Sequence, residues 1–505
     1  MPGFYVENFG CRATQADGAA LERQFEEQGL IRVSSARKAN LVILNTCTVT
    51  TGADQDARAA IRRVRRQNPE VKIVVTGCYA QRAPEEIAAL PGVDLVVGNS
   101  HKHQLAQIAL HVSEIIESSA SNFVPLASLT ENRGLRTENS IFVSDIFAHT
   151  ELLAAPVFDA ANERTRPNLK VQDGCDNRCS FCVIPYVRGQ SRSLTSNRIV
   201  NEVNTLVEAG YREVVISGIN LGRWGRDLGL RHQASGVKPR ASNLSISTAR
   251  VGADAFVRPG EQRSPAAIQT PDARRLTPTF VDLIRCVLHE TNLEKLRISS
   301  VEPIDWSDEL IELVATSPRI AKHTHVPMQS GSDAVLRRMH RKYRPWHYRE
   351  KIEKIHAAMP QAAIGADVMV GFPGETDEEF EATRKMIEDL PFNYLHVFTY
   401  SARPGTPAAE MKNQVPVHVA RERNRILREL ASEKKLAFMR SFIGKTVEAI
   451  TLSVVGNDEE GEFTKALTDN YLKLRVHGRH DPNRWLRAAI TDVVSGALVG
   501  WTKGK

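Results

Sequence analysis

Residues 168–189 read NLKVQDGCDNRCSFCVIPYVRG, an apolar strand that runs directly into three cysteines with the spacing C-x3-C-x2-C. Three thiolates this close together usually bind a metal. A structural zinc site needs four protein ligands, and no further Cys or His lies within ten residues on either side. Cysteines also bind iron–sulfur clusters, and three ligands on a four-iron cube leave one iron open. Three buried packing cysteines are the alternative interpretation, but packing gives no reason for ligand spacing.

Strand patterns alternate with helical patterns from this loop toward the C-terminus. Strands are expected from residue 168 and at 213–218, 295–300, 323–328, 362–371 and 394–401, with helices at 198–209, 279–290, 308–315, 346–358 and 377–390. Six strands, each followed by a helix, favour a partial (β/α)6 barrel over residues 167–420. The site of such a barrel lies at the carboxyl ends of its strands, where the cysteine loop also falls.

One segment of this region breaks the alternation. Residues 229–277 contain few large apolar side chains, and structureless loops beyond ~15 residues are uncommon inside compact domains. We therefore predict a disordered insertion there. Cys286 lies just beyond it on an apolar helix, and we interpret it as a core residue.

The first 120 residues show a second cysteine pattern. Apolar strands alternate with helices, which predicts a parallel α/β sheet, and Cys11, Cys47 and Cys78 each follow a strand. Because the carboxyl ends of parallel strands form the ligand crevice of an open sheet, these thiols are expected to converge. Three unrelated packing cysteines are the alternative. Residues 121–166 are interpreted as a linker with some docked structure.

A row of arginines follows Cys47. Arg58, Arg62, Arg65 and Arg66 share one face of a predicted helix at 55–67. Such a row is commonly a solvated face, but it can also contact phosphates, so Arg62, Arg65 and Arg66 are candidate RNA-binding residues.

The C-terminal part, residues 421–505, begins with a basic helix at 421–440 and continues in short alternating runs. Four or five short strands separated by turn residues suggest a small β-barrel, an architecture that often binds nucleic acid. Lys473 and Arg475 are the first candidates for RNA contact, and Lys465, Tyr471 and Arg479 are further ones.

Composition limits the class of protein. A chain of 505 residues suggests about three domains, and 42% hydrophobic with 25% charged residues is ordinary for a soluble protein. The sequence shows no signal peptide and no apolar run near the ~18 residues of a membrane span, so we expect a cytoplasmic protein that contacts no membrane. Seven cysteines are then expected to stay reduced, which favours metal or redox chemistry over disulfides. The net charge of +7 favours an anionic partner, nucleic acid first.

The motif CDNRCSFC followed by VIPYVRG resembles the radical S-adenosylmethionine enzymes. That resemblance implies a [4Fe–4S] cluster on Cys175, Cys179 and Cys182, whose open iron binds S-adenosylmethionine. The order of the three predicted domains is similar to that of the methylthiotransferases over nearly the whole chain. This implies a second [4Fe–4S] cluster on Cys11, Cys47 and Cys78, a C-terminal TRAM-like RNA-binding domain, tRNA as partner, and a flavodoxin- or ferredoxin-like electron donor.

The substrate subgroup rests on further motifs. NTCTVT, VVTGCYAQ and DIFAHTELLAAPVF resemble the subgroup that converts N6-threonylcarbamoyladenosine, at position 37 beside the tRNA anticodon, to its 2-methylthio derivative. Isopentenyladenosine in tRNA and an aspartate of a ribosomal protein are the alternative substrates, and the basic chain favours RNA. An RNA-binding iron–sulfur protein without catalysis is the alternative of a different class, although binding alone needs no open iron.

The resemblance also implies contacts to S-adenosylmethionine. Gly218, Asn220, Glu302, Gln329 and Asp367 occupy strand ends that face this cofactor in relatives, and each could instead be a cap or turn residue. The insertion at 229–277 departs from the shorter family pattern and bears on access to the site, not on the chemistry.

Overall fold

The architecture is that of a computed structural model, which describes residues 2–118, 140–148, 166–228, 277–458 and 461–502. The insertion predicted at 229–277 lies outside the described residues except for its last position, as does most of the linker predicted at 121–166. No helix within the described ranges is long and apolar enough to cross a membrane.

The N-terminal part forms one parallel sheet. Its strands are β1 (Gly3–Asn8), β2 (Ile31–Arg32), β3 (Leu41–Thr46), β4 (Lys72–Gly77), β5 (Leu95–Gly98) and β6 (Ser140–Phe142), in the spatial order β2-β1-β3-β4-β5-β6. Helices α1 (Arg12–Glu27), α2 (Thr51–Gln67), α3 (Cys78–Arg82), α4 (Pro84–Ala88) and α5 (Leu105–Ser118) accompany it. Every residue of β3 is buried, as expected for a strand covered on both faces. The predicted parallel α/β sheet is confirmed, and β6 joins it from the segment interpreted as linker.

The register of this sheet brings three strand ends to one edge. Asn8 of β1 lies beside Asn45 of β3, and Thr46 of β3 lies beside Gly77 of β4. The residues that follow β1, β3 and β4 are therefore neighbours in space, although they are far apart in the sequence.

The middle part forms the predicted partial barrel. Its strands are β7 (Asn168–Asp173), β8 (Arg192–Ser193), β9 (Glu213–Gly218), β10 (Lys295–Ile298), β11 (His323–His325), β12 (Ala363–Val370) and β13 (Tyr394–Thr399). Helices α6 (Ile184–Arg188), α7 (Ser196–Glu208), α8 (Phe280–Glu290), α9 (Asp308–Thr316), α10 (Asp333–Arg338), α11 (Pro345–Ala358) and α12 (Asp377–Asp389) accompany them. Sheets β10-β9-β7-β8 and β11-β12-β13 are joined by two isolated parallel bridges, one from Leu296 of β10 to Ile320 and one from Ser300 to His325 of β11. Six strands thus run parallel in the order β7-β9-β10-β11-β12-β13, and only the short β8 is antiparallel.

The C-terminal part is a closed five-stranded barrel. Strands β14 (Thr446–Asp458), β15 (Gly461–Thr468), β16 (Lys473–His477), β17 (Trp485–Val494) and β18 (Ala497–Thr502) pair in the order β14-β15-β16-β18-β17. Closure removes sheet edges that would otherwise pair with other chains.

The basic helix, α13 (Val417–Arg440), connects the two barrels. Its Leu427 packs in the core of the (β/α) barrel, whereas Met439 packs in the core of the small β-barrel. Arg297 of β10 crosses the junction as well, because its Nη1 donates to the backbone oxygen of Asp469 at 3.1 Å. The small barrel is therefore held against the larger one by both packing and hydrogen bonds.

The interpretation of Cys286 as a core residue is wrong. Its side chain lies on the partly exposed side of α8, and its thiol donates to Glu290 Oε1 at 3.2 Å. The apolar run around it is real, but Leu283, Ile284 and Val287 take the buried face of this helix. A cysteine one position away from a buried residue on a helix need not share its face.

Candidate active site

A cavity of about 1350 Å³ lies where the N-terminal sheet, the partial barrel and the small β-barrel meet. Cys11, one of the three cysteines that follow strands of the N-terminal sheet, lines this space. So do Cys175, Cys179 and Cys182 of the three-cysteine loop. The structure therefore brings one cysteine of the N-terminal sheet to the same cavity as the three-cysteine loop, which neither spacing pattern shows by itself.

The loop triad, Cys175, Cys179 and Cys182, follows the carboxyl end of β7. Gly174 before it has a φ of +72°, and a Cβ there would lie 1.9 Å from the backbone oxygen of Gln190. The position therefore requires glycine. Beyond it, Cys175 N donates to Gly189 O at 3.0 Å, which closes the base of the loop.

Backbone and arginine donors surround the thiols of the loop triad. Asn177 N lies 3.4 Å from Cys175 Sγ, and Arg341 Nη1 lies 3.4 Å from Cys179 Sγ. Burial, reinforced by the neighbouring Cys179, raises the pKa of Cys182 to about 12. Thiolates here are thus costly unless a cationic group binds them, while the donors around them favour anionic sulfur.

The sheet triad, Cys11, Cys47 and Cys78, follows β1, β3 and β4. Cys47 and Cys78 are buried and Cys11 is exposed. Burial, followed by the nearby thiols of Cys78 and Cys11, raises the pKa of Cys47 to about 12. Gly10 has a φ of +93°, and a Cβ there would lie 2.8 Å from Cys47 Sγ, so glycine permits this close approach. The predicted convergence of the three strand ends is therefore present.

Both triads fit an iron–sulfur cluster by the chemistry of their donors. Each brings three free thiols together, and in each triad burial raises the pKa of one thiol, Cys47 or Cys182, to about 12, so its ionisation is unfavourable without a bound cation. Asn99 Nδ2 lies 3.5 Å from Cys78 Sγ, a donor of the kind that stabilises cluster sulfur.

A buried charge cluster joins the sheet to the barrel beside the sheet triad. This Asp17 cluster contains Asp17, Lys102, Lys170, Asp173 and Arg188. Lys102 Nζ and Arg188 Nη2 each lie 3.0 Å from Asp17 Oδ2. Burial alone would raise the pKa of Asp17, but the three cations outweigh it and lower that pKa.

A second ionic contact joins the same two domains next to Cys47. Asp54 of α2 pairs with Arg403 of the barrel and, at 3.0 Å, with Arg82. Arg403 Nη2 also donates to Thr48 Oγ1 at 3.1 Å. Two ion clusters therefore fix the orientation of the sheet triad toward the barrel.

Among the predicted cofactor contacts, Asn220 has the clearest geometry. Its backbone N donates to Gln172 Oε1 at 2.7 Å, and its Nδ2 lies 3.6 Å from Cys175 Sγ. Its Oδ1 is buried and accepts no hydrogen bond from any described residue. This acceptor beside the loop triad fits an amino group of S-adenosylmethionine, and Gly218 lies two residues before it on the cavity wall.

The other predicted contacts also line the cavity but have partners. Burial raises the pKa of Glu302, whose carboxylate is ion-paired with Arg341. Gln329 has a φ of +63° and bridges to Val368 of β12 through its backbone. Asp367 Oδ1 lies 3.3 Å from His325 Nε2.

The predicted RNA-binding residues separate into two groups. Lys465, Tyr471, Lys473 and Arg475 line the cavity, whereas Arg479 is exposed outside it. On α2, Arg62 and Arg66 are exposed.

Arg65 does not share the exposure predicted for this row. Its Nη2 lies 2.8 Å from Asp94 Oδ2 and 2.7 Å from Gly92 O, so it is used within the sheet domain.

Sequence reasoning missed a group of aromatic and histidine side chains that also lines the cavity. His323, His325, Tyr394 and His396 stand there on β11 and β13. His323 Nε2 and Tyr394 OH are 2.6 Å apart, and the rings of His325 and Tyr394 stack with centroids 5.9 Å apart. The repeated histidines of HTH at 323–325 and the cross-strand YLH at 394–396 were the available signal.

A three-cysteine loop with an unpartnered buried acceptor, at the carboxyl ends of a six-stranded partial barrel, defines a radical S-adenosylmethionine enzyme. Comparison with known families agrees. Residues 266–387 match the Radical SAM superfamily, and residues 3–98 match Uncharacterized protein family UPF0004.

Three relatives cover nearly the whole chain. A protein of Aquifex aeolicus described as threonylcarbamoyladenosine tRNA methylthiotransferase MtaB is 33% identical over 96% of this chain and 99% of its own length. A Rickettsia prowazekii protein with the same description is 35% identical over 99% and 95%. A tRNA-2-methylthio-N(6)-dimethylallyladenosine synthase of Endomicrobium trichonymphae is 29% identical over 95% and 94%. The chain belongs to the radical S-adenosylmethionine methylthiotransferase family and is a tRNA methylthiotransferase.

Proposed function

We propose that this enzyme converts N6-threonylcarbamoyladenosine at position 37 of tRNA to its 2-methylthio derivative. The alternative within the family is a dimethylallyl, that is isopentenyl, adenosine, whose N6 substituent is apolar. Relatives at 33–35% identity carry the threonylcarbamoyl description, whereas relatives at 29–30% carry either the threonylcarbamoyl or the dimethylallyl description.

The polar wall of the cavity is the observation that carries this choice. Hydroxyl, imidazole, carboxylate and phenol groups line the cavity at Ser300, His325, Asp367, Tyr394 and His396. A threonylcarbamoyl group brings a ureido group and a hydroxyl, which can hydrogen-bond to such groups. A dimethylallyl group offers no hydrogen-bonding atom to this lining, and covering a polar group without a new hydrogen bond costs ~1–3 kcal/mol.

We propose that each triad holds a [4Fe–4S] cluster, the loop triad with S-adenosylmethionine at its open iron. Membership of the family implies S-adenosylmethionine and one such cluster, and the donor set of the sheet triad supports a second cluster. When bound, these groups supply the radical that activates the adenosine C2–H bond and the sulfur that replaces the hydrogen.

The residues of the chain then act by holding and orienting. Asn220 Oδ1 accepts from the cofactor amino group, Gly218 lets the cofactor approach the strand, and Arg341 keeps Glu302 and Cys179 in place. Gln329 turns the backbone at the cavity wall.

The RNA contacts form two groups in this proposal. Lys465, Lys473 and Arg475 neutralise phosphates at the cavity mouth, and Tyr471 stacks on a base. Arg62 and Arg66 extend the basic surface along α2. We also propose a TRAM-like RNA-binding role for the small barrel, a flavodoxin- or ferredoxin-like electron donor, and a cytoplasmic location.

The experiment is mass spectrometry of tRNA nucleosides from cells with and without the gene. We expect loss of 2-methylthio-N6-threonylcarbamoyladenosine, accumulation of its unthiolated precursor, and restoration by the wild-type gene but not by Cys47→Ala. Loss of the 2-methylthio isopentenyl nucleoside instead would reject the substrate. If the levels of both methylthiolated nucleosides are unchanged, a ribosomal protein aspartate becomes the substrate to test.

A further inference from the structure

Three side chains on adjacent strands form a donor set outside the cysteine triads. His325, Asp367 and His396 place one nitrogen or oxygen each within 4.8 Å of the others. Asp367 of β12 and His396 of β13 are paired in register, and His325 of β11 pairs with Gly365, two residues before Asp367. Because residues two apart on a strand share a face, all three side chains face the cavity.

His325 is oriented as a metal ligand would be. Ser300 Oγ lies 2.6 Å from its Nδ1, which fixes one ring nitrogen in a hydrogen bond. Its Nε2 is buried, lies 3.3 Å from Asp367 Oδ1, and makes no hydrogen bond to any described residue. Metal-binding histidines typically use one nitrogen for such a supporting bond and the other for the metal.

The charges of this donor set do not favour direct binding of an anion. The Asp367 carboxylate would repel a substrate carboxylate beside it, whereas His325 and His396 are neutral unless protonated. A divalent cation removes this conflict, since it uses Asp367 as a ligand and leaves the site with a positive charge.

We propose that His325, Asp367 and His396 bind a divalent transition metal ion such as Fe2+ or Mn2+. Two imidazoles and one carboxylate on one side of an ion leave coordination positions open, and here the open positions face the cavity. This assignment replaces the predicted cofactor contact of Asp367. The open positions accept oxygen ligands of the RNA substrate, among which the threonylcarbamoyl carboxylate is the one that the apolar alternative lacks. That last step rests on the proposed function, whereas the metal site does not.

The metal site is tested by titrating the cluster-reconstituted enzyme with Mn2+, without tRNA, and following free Mn2+ by electron paramagnetic resonance. We expect one Mn2+ per wild-type chain, and weakening by more than ~100-fold in His396→Ala and Asp367→Asn. Ser300→Ala, which removes only the supporting hydrogen bond, should weaken binding about 10-fold. His289→Ala, an exposed histidine of α8, is the matched control and should bind as wild type does.

Two results would overturn the metal site. One is absence of binding to wild-type enzyme at ~1 mM Mn2+, far above the dissociation constant of a formed site. The other is equal binding by wild type, His396→Ala and Asp367→Asn with equal iron content, which places the ion elsewhere. His396 is exposed, so its variant is expected to fold, and equal iron content in the variants verifies this.

The substrate step has its own readout. The relaxation rate of water protons caused by the bound Mn2+ should fall when tRNA carrying threonylcarbamoyladenosine displaces water from the ion. The rate should stay unchanged with tRNA carrying unmodified adenosine. Equal effects of both tRNAs would refute carboxylate coordination while leaving the metal site intact. The nucleoside measurement described above tests the proposed function separately.

Discussion

The two cysteine triads reach the same cavity by different routes. The loop triad needs only one turn after β7, made possible by Gly174. The sheet triad needs three strands in register and two ion clusters that hold the sheet domain against the barrel. A local motif is thus a property of sequence, whereas a dispersed one depends on domain assembly.

The triads also differ in their surroundings. In the loop triad Arg341 lies close to a cysteine sulfur, whereas in the sheet triad Arg188 of the buried Asp17 cluster interacts electrostatically with Cys78 and Cys11. In addition, Cys47 and Cys78 are buried, and only Cys11 of the sheet triad lines the cavity. The difference implies that damage to the loop triad acts on chemistry alone, while damage near the sheet triad also acts on structure.

Removing one ligand from each triad should produce the largest difference. We expect Cys175→Ala to reduce both 5′-deoxyadenosine formation and methylthiolated tRNA by at least ~10³-fold. Cys47→Ala should lose the methylthiolated product but form 5′-deoxyadenosine within about twofold of wild type, since the cofactor site is intact. Each variant should keep about four of about eight irons per chain. Loss of 5′-deoxyadenosine in Cys47→Ala would show that the triads are not independent.

Breaking the Asp17 cluster should have the next largest effect. Asp17→Asn leaves Lys102, Lys170 and Arg188 facing one remaining carboxylate, and removing one partner of a buried ion pair costs ~3–5 kcal/mol. We expect a lower urea midpoint for unfolding of the sheet domain and loss of its cluster before that of the loop triad. The control is Glu27→Gln, which breaks an exposed pair with Arg23 and should cost less than ~1 kcal/mol. Equal shifts for the two variants would contradict a structural role for the cluster.

A smaller effect is expected at the cofactor acceptor. Asn220→Ala removes the buried Oδ1 and should raise the dissociation constant for S-adenosylmethionine about fivefold, since one hydrogen bond contributes ~1 kcal/mol. Equilibrium dialysis measures this dissociation constant. Asn201→Ala, at an exposed position of α7, is the matched control. Unchanged affinity in Asn220→Ala would place the cofactor amino group elsewhere.

Substitution of Cys286, the cysteine outside both triads, should have the smallest effect and gives a baseline for the cysteine variants of the triads. Burial, followed by Glu290, raises the pKa of Cys286 to about 11. Its thiolate fraction, and hence its alkylation rate by iodoacetamide, should rise about tenfold for each pH unit between 7 and 10. Glu290→Gln should speed alkylation at pH 8, and Cys286→Ser should change neither iron content nor product. A rate that levels off near pH 8.5 would contradict the raised pKa.

Much of the fold could be predicted from sequence because its signals are local. Strand and helix periods located all six parallel barrel strands, and strand ends located Cys11, Cys47 and Cys78. Short elements such as α10 and β2 were missed, because neither a helix of less than two turns nor a two-residue strand carries a periodic pattern. Arg65 and Cys286 were misjudged for another reason: a partner such as Asp94, or the exposed side of α8, is visible only after packing.

By itself, the sequence determined the loop triad, the order of the three domains and the family, since adjacent residues and strand alternation need no long-range information. Only the tertiary structure decided that Asp17 and Asp54 tie the sheet domain to the barrel and that Cys11 shares a cavity with Cys175. It also decided that His325, Asp367 and His396 meet. These groups come from different strands and domains, and their proximity is set by sheet register and buried charge pairing, which no local pattern encodes.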